Sequence, residues 1–213
     1  MKLYLIRHGQ TDWNIEQRIQ GQQDIPLNDT GRAQARCLTQ AMKEKKLDAI
    51  YTSPQIRAYA TAGAVAGDRP IPVVALPWLM EINYGDWEGK TAKELLKKDG
   101  DRYKAWWDRP AEVAPPGGET VAQVDARCAA AWDWIRSRMK GDTAIVSHGG
   151  LLAHFMEQLL KGSGEDDGGE RVVHNASITT FEYQPETGEI RLTGFDECGH
   201  LRIFVQFYRI IWK

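Results

Sequence analysis

Two histidines, two arginines and one glutamate stand at comparable places in this chain, each close behind a short apolar run. Residues 3–6 lead directly into Arg7-His8-Gly9. Residues 48–51 lead into Thr52-Ser53-Pro54, with Arg57 about one turn further on. Residues 143–146 lead into Ser147-His148-Gly149, and Leu79-Met80 lead into Glu81. Short runs of branched and aromatic residues without polar alternation read as buried strands. A cation and an imidazole at the carboxyl end of a buried strand carry a desolvation cost that a plain turn does not require. Each ending taken alone has a bland reading: a strand cap with solvated polar residues, a surface arginine, a surface carboxylate.

Together they read differently. Ligands of open α/β sheets bind outside the carboxyl ends of the strands. If these strands are parallel neighbours, two imidazoles and two guanidiniums meet in one crevice. That set suits a phosphoryl group, whose transition state spreads negative charge over three equatorial oxygens and asks for positioning and charge stabilisation. One imidazole can be the nucleophile and form a phosphohistidine. The other can donate a hydrogen bond to the phosphoryl oxygens. The leaving alkoxide needs a proton, and Glu81 is the acid placed directly after an apolar stretch. No Asp, His or Cys group has metal-ligand spacing, so the arginines take the part a metal would otherwise play.

The intervening elements must position these residues. Residues 12–26 have no clean period and read as a packed functional loop containing Trp13, Asn14, Arg18, Gln20 and Gly21. Asn28 and Asp29 cap a helix to about Glu44. Ser53 reads as a helix cap with Pro54 in the first turn, and that helix runs to Gly67. Residues 71–76 read as a strand. Thr91 with Glu94, and Thr120 with Gln123, are capping boxes, the second opening a helix to about Met139. Tyr103, Trp106 and Trp107 read first as packing residues, and Lys93, Lys97 and Lys98 as a solvated face. Residues 110–118 form a loop rich in Pro and Gly, and residues 151–160 a helix. Residues 162–169 read as a mobile acidic loop, and residues 177–183 and 189–195 as a hairpin. Strands alternating with helices predict a three-layer α/β/α fold, a mostly parallel central sheet with helices on both faces.

Apolar residues make up 42% of the 213 and charged residues 26%, the proportions of an ordinary globular protein. A net charge of −2 argues against a nucleic-acid surface held by bulk charge and leaves room for a local basic pocket. Cys37, Cys128 and Cys198 are too few and too far apart for a disulfide framework and read as reduced, buried thiols. The apolar run before Arg7 is too short for a secretory leader, and none reaches the length of a membrane span. A cytoplasmic protein is expected.

On these residues the chain resembles the histidine phosphatase family, the phosphoglycerate-mutase-like group. Arg7-His8-Gly9-Gln10-Thr11 with Asn14 resembles its first-histidine motif. Ser53-Pro54-Gln55-Ile56-Arg57-Ala58 with Thr61-Ala62 resembles its second motif, and Glu81 with Gly85-Asp86-Trp87-Glu88-Gly89 its third. Ser147-His148-Gly149-Gly150 resembles its second-histidine motif. The resemblance implies a phosphoglycerate-mutase-like domain over residues 1–200, with residues 201–213 an extension of unassigned role. It implies that His8 is the phosphorylated nucleophile and Glu81 the proton donor, and that Arg7, Arg57 and His148 form the phosphate pocket. It adds Asn14, Gln20, Gly21 and Gly149 to the binding residues. It gives His154 a structural place and sets His174-Asn175 near the site. It implies a phosphomonoesterase without metal or cofactor, a small phosphorylated metabolite as substrate and inorganic phosphate as product. A homodimer is left open. The segment Asp86-Trp87-Glu88-Gly89-Lys90-Thr91 and the short insertion after it resemble the phosphatase branch. A cofactor-dependent phosphoglycerate mutase, an α-ribazole phosphate phosphatase and a sugar phosphatase are the alternatives, with a non-catalytic phosphate-binding scaffold last. Trp106, Trp107 and the loop ending in Gly118-Glu119 would then border the leaving group and favour a ring-bearing alcohol.

Overall fold

The computed structural model describes residues 1–161 and 171–202. The acidic segment 162–169 and most of the 201–213 extension lie outside the described residues. In chain order the elements are β1 (Lys2–Arg7), α1 (Asp12–Ile15), α2 (Asp29–Met42), β2 (Leu47–Thr52), α3 (Ile56–Ala66), β3 (Val73–Ala75), α4 (Ala92–Lys98), α5 (Gly100–Asp108), α6 (Val121–Arg136), β4 (Asp142–Ser147), α7 (Gly149–Leu160), β5 (Ile178–Tyr183) and β6 (Ile190–Glu197).

The strands form one sheet in the order β3-β2-β4-β1-β5-β6. β1 and β2 both run parallel to β4, with Arg7 opposite Ser147 and Thr52 opposite Val146. The three endings singled out above therefore lie side by side on one rim. β5 joins β1 antiparallel and pairs with β6 as a hairpin. The central strands are covered on both faces, which is why they read as continuous apolar runs. β6, at the edge, alternates half-buried and exposed residues.

Two cores occupy the two faces. Leu3, Leu5 and Ile145 pack against Val124, Cys128 and Ile135 of α6 and Leu152, Phe155 and Met156 of α7. Tyr4, Ile6, Ile50 and Val146 pack against Leu38 and Met42 of α2 and Ala58, Ala62 and Val65 of α3. A smaller cluster of Trp87, Leu95 and Tyr103, with Trp106 against it, ties α4 and α5 to the 85–90 segment.

Asn28 caps α2 by accepting from the Gly31 N–H, and both Thr-based capping boxes are formed. Several expectations are corrected. Residues 12–26 are not all loop: Thr11 and Asn14 close a reciprocal cap around the single turn of α1. Ser53 is not the cap of α3. Gln55 holds that position without a side-chain bond, and Asp24 from the distant loop accepts from the Ile56 N–H at 2.7 Å. The strand expected over residues 71–76 is only three residues long. All three cysteines are free, but only Cys128 is buried. Burial pushes its thiol up to about 12. Among the described residues no helix is long and apolar enough to cross a membrane.

Candidate active site

His8 leaves the end of β1 with its backbone N–H on the Ser147 carbonyl of β4. Its side chain is almost fully buried. Nδ1 donates to the Gly9 carbonyl at 2.7 Å, so in the neutral ring Nε2 carries the lone pair. Burial holds this imidazole well below its ordinary value, and the Arg7 and Arg57 cations push it the same way. Gly9 is required: a Cβ there would stand 2.6 Å from the Gly31 carbonyl oxygen. Its N–H donates to Thr61 Oγ, whose own hydroxyl donates to the Arg57 carbonyl, so β1 and α3 are pinned together beside the imidazole.

His148 lies in the next loop, with its ring centroid 5.1 Å from that of His8. Arg57 Nε donates to its Nδ1 at 3.2 Å. The neutral ring must then carry its proton on Nε2, the opposite tautomer from His8. That Nε2 is buried and has no hydrogen-bond partner within the described protein, and neither has Arg7 Nε. Two buried donors beside a buried lone pair fit an acceptor-rich ligand. Burial also lowers His148 well below the ordinary imidazole value, with Arg57 the next cause. Gly149 faces Arg7: a Cβ there would lie 3.3 Å from its guanidinium carbon.

Fully buried Arg57 also donates to the Gly21 and Gln23 carbonyls, at 2.8 and 2.7 Å. Gly21 has a left-handed backbone (φ +51°), and a Cβ would collide with Glu88 Oε1 at 2.0 Å. Glu88 accepts from the N–H groups of Gln22 and Tyr84, clasping the loop to the 84–88 segment. Asn14 Oδ1 accepts from Thr11 and Asn175, which leaves its amide N–H groups as donors. Gln20 is buried with Oε1 unpartnered, an acceptor rather than a donor.

Glu81 is buried, and its carboxylate sits on the N-terminus of α7. Oε1 accepts from Leu151 N–H at 2.8 Å and Oε2 from Gly150 N–H at 3.2 Å. A Cβ on Gly150 would reach Tyr84 Oη at 2.8 Å and Glu81 Oε1 at 2.9 Å. Gln55 takes the Glu81 backbone N–H on Oε1 and donates Nε2 to the Gly21 carbonyl, coupling the segment that carries Glu81 to the loop. From α6, Arg127 donates to the carbonyls of Trp78, Met80 and Glu81, and makes a two-point pair with Glu119 at 2.7 and 2.9 Å. Glu119 in turn accepts from Asn83 N–H. The acid-bearing segment is thus fastened at both edges.

Arg7, His8, Asn14, Gln20, Gly21, Arg57 and Glu81 line one cavity of about 250 Å³. His148 and Gly149 are not among its lining residues but stand against those that are, His148 beside His8 and Arg57 and Gly149 beside Arg7. Tyr84, Tyr103, Trp106 and Trp107 complete the opening. Burial, with Glu81 nearby, raises the Tyr84 phenol above its ordinary value. Arg18 lines the mouth but is tied to Glu16 and Glu94. Tyr84, Gln55, Thr61, Glu88 and the Arg127–Glu119 pair were not among the predicted site residues. Tyr84 and Gln55 lie inside the motifs, whereas Arg127 carries no local signal. His154 pairs with Asp125 and His174 with Asp196, and neither lines this cavity. Two groups, His174-Asp196-Cys198 and Asp125-His154-Glu157, bring metal-capable side chains together in space, which sequence spacing did not indicate; neither includes His8, Glu81 or His148.

The family model of the histidine phosphatase superfamily (branch 1) matches residues 3–196. The chain is 32% identical over 185 residues to a putative phosphoserine phosphatase of Hydrogenobacter thermophilus, covering 87% of this chain and 91% of that one. It is 32% identical over 165 residues to the adenosylcobalamin/alpha-ribazole phosphatase of Escherichia coli, covering 75% and 79%. The solved structure of Bacillus stearothermophilus YhfR superposes with a TM-score of 0.85 at 36% identity, over 94% of this chain and 98% of that one. With the buried imidazole pair, the guanidinium cradle and a match that spans nearly the whole sheet, the chain belongs to the histidine phosphatase superfamily, in its phosphoglycerate-mutase-like group, and is a phosphomonoesterase of that type.

Proposed function

We propose that the chain hydrolyses a phosphomonoester through a phosphohistidine on His8. The observation that carries this reading is the pair of opposed tautomers. His8 Nδ1 is committed to the Gly9 carbonyl, freeing Nε2 as a nucleophile, while His148 Nδ1 is committed to Arg57, leaving Nε2–H as a donor. In the first step the His8 Nε2 lone pair attacks phosphorus and the bond to the ester oxygen breaks. Glu81 gives its proton to the departing alkoxide. Arg7, Arg57, His148 Nε2–H and the Asn14 amide hold the three equatorial oxygens. In the second step Glu81 takes a proton from water as the water oxygen attacks phosphorus. The P–N bond breaks, its electron pair returns to Nε2, and inorganic phosphate leaves. Gln20 Oε1 offers an acceptor for the attacking water or the alcohol hydroxyl.

Water rather than a second organic acid is the acceptor in this reading. Lys93, Lys97 and Lys98 are exposed on α4 and none lines the cavity, and Arg18 at its mouth is tied to Glu16 and Glu94, so among the described residues no unengaged cation is added to Arg7 and Arg57 there. Tyr84, Trp106 and Trp107 at the opening favour a ring-bearing alcohol over a small amino acid or sugar acid. The test is acid-labile labelling from a phosphoryl donor. Wild type should trap a base-stable, acid-labile phosphoryl group and His8→Ala should not; equal labelling of the two would end the phosphohistidine reading.

A further inference from the structure

We propose that a second cavity, behind the aromatic wall of the phosphate pocket, receives the leaving alcohol and selects one with a flat apolar body ending in a cationic nitrogen or N–H donors. This deepens the hydrolase reading above and rests on it. The second cavity holds about 410 Å³ and lies between the loop after α5 and the facing sides of α6 and α7. It shares Tyr84, Trp106 and Trp107 with the phosphate pocket. An ester whose phosphoryl group sits against His8 therefore has these three rings between its oxygen and the second space.

The rings are a wall common to both cavities. Trp106 is held edge-on by Tyr84 at 6.0 Å and by Trp87 at 5.6 Å, so its plane is set by packing. Trp107 is 58% exposed and sits at the margin. Beyond them the wall is aliphatic, with Ile82, Val121, Val124 and Ala153. Such a surface takes up a flat apolar body and gives edge-to-face contacts to an aromatic one.

The far end is polar, and its polarity has a sign. His154 and Glu157 lie one turn apart on α7, both on the cavity wall. Asp125 accepts from His154 Nδ1 at 2.9 Å, so in the neutral ring Nε2 is an acceptor. Glu157 adds a carboxylate within 4.8 Å of the same group. The other wall carboxylate, Glu119, is taken up by Arg127. Two acceptors at the end of an apolar cavity complement N–H donors or a cation, and they oppose a second carboxylate or phosphate on the alcohol.

The test compares kcat/KM for ethyl phosphate, naphthylethyl phosphate and an aminomethyl derivative of the latter. All three release a primary alkoxide, so their intrinsic reactivities match. Wild type should favour the naphthylethyl ester about tenfold or more over the ethyl ester, and the amine should add about threefold. Ala153→Trp, or Val121→Trp from the opposite wall, should bring the naphthyl-to-ethyl ratio close to one; hydrolysis of ethyl phosphate shows that each variant is folded. Glu157→Gln should erase the increment from the amine and keep that from the ring. Equal kcat/KM for all three esters in wild type overturns the proposal, and so does a ratio that survives both tryptophan variants. If those variants instead change the sedimentation mass while the ratio stays put, the cavity is a protein contact and the proposal is wrong. A wild type that cleaves none of the esters brings down the hydrolase reading itself.

Discussion

His8 and His148 have the same side chain, and both are buried and neutral, yet they cannot exchange roles. One presents a lone pair and the other a proton, because one Nδ1 meets a carbonyl and the other a guanidinium. In the proposed reaction Glu81 is the third member, and its task there depends on the leaving group. Replacing it by Gln keeps its acceptor oxygen and removes the transferable proton. We expect Glu81→Gln to slow an alkyl phosphate about 10²–10³-fold and a nitrophenyl phosphate less than about tenfold, because the phenolate leaves without help. Steady-state rates on both esters check this; equal slowing would take the acid role away from Glu81. Arg7, His8, Glu81 and His148 were legible in sequence because each stands close behind an apolar run, and Arg57 because it falls about one turn beyond one; the structure brings the five into one cluster. Gln55 and Thr61 stand in the second motif, but their roles were not legible: each acts through hydrogen bonds to chain positions 26 to 52 residues away.

At the scale of elements, the site is an arrangement of endings. β1, β4 and β2 end in register, α7 turns its first N–H groups onto Glu81, and α6 reaches back through Arg127. Strand endings and capping boxes are local patterns and could be read directly. The single turn of α1 is too short to display a period, and the start of α3 is set by Asp24 from another loop, so both were misread. The Arg127–Glu119 pair joins residues eight apart across a loop and a helix start, where no motif marks it. It is mostly buried, so cutting it strands Glu119 and three backbone carbonyls at once. Arg127→Ala should cost about 3 kcal/mol of stability in urea unfolding and lower kcat. Arg127→Lys should recover little of either, because an ammonium cannot span both carboxylate oxygens and the carbonyls. Full activity in Arg127→Lys would show that the fork geometry is dispensable.

For the molecule as a whole, two buried imidazoles with depressed proton affinity impose a pH dependence on folding. The unfolded chain protonates both below about 6.5, while the folded chain keeps them neutral. Unfolded molecules thus bind more protons in that range, and the stability present above it is lost as pH falls. The pair should contribute a slope of about 2–3 kcal/mol per pH unit between the two sets of affinities. Urea midpoints taken downward from neutrality should show this, and His148→Gln should reduce the slope by about half. A flat profile would mean that the rings are protonated in the folded state. The sheet architecture was readable from alternating strands and helices. The second cavity was not, because its walls come from segments far apart in the chain.

The place of β1 in the sheet also has a consequence for biosynthesis. The strand that carries His8 is made well before its partners β4 and β5, whose registers begin at Thr143 and end at Glu182. Until they leave the ribosome β1 has no sheet to join, its apolar face must be shielded, and the phosphate pocket does not exist. A nascent chain therefore carries no half-formed anion trap while residues 8–142 are made, and catalytic competence arrives in one step with closure of the sheet.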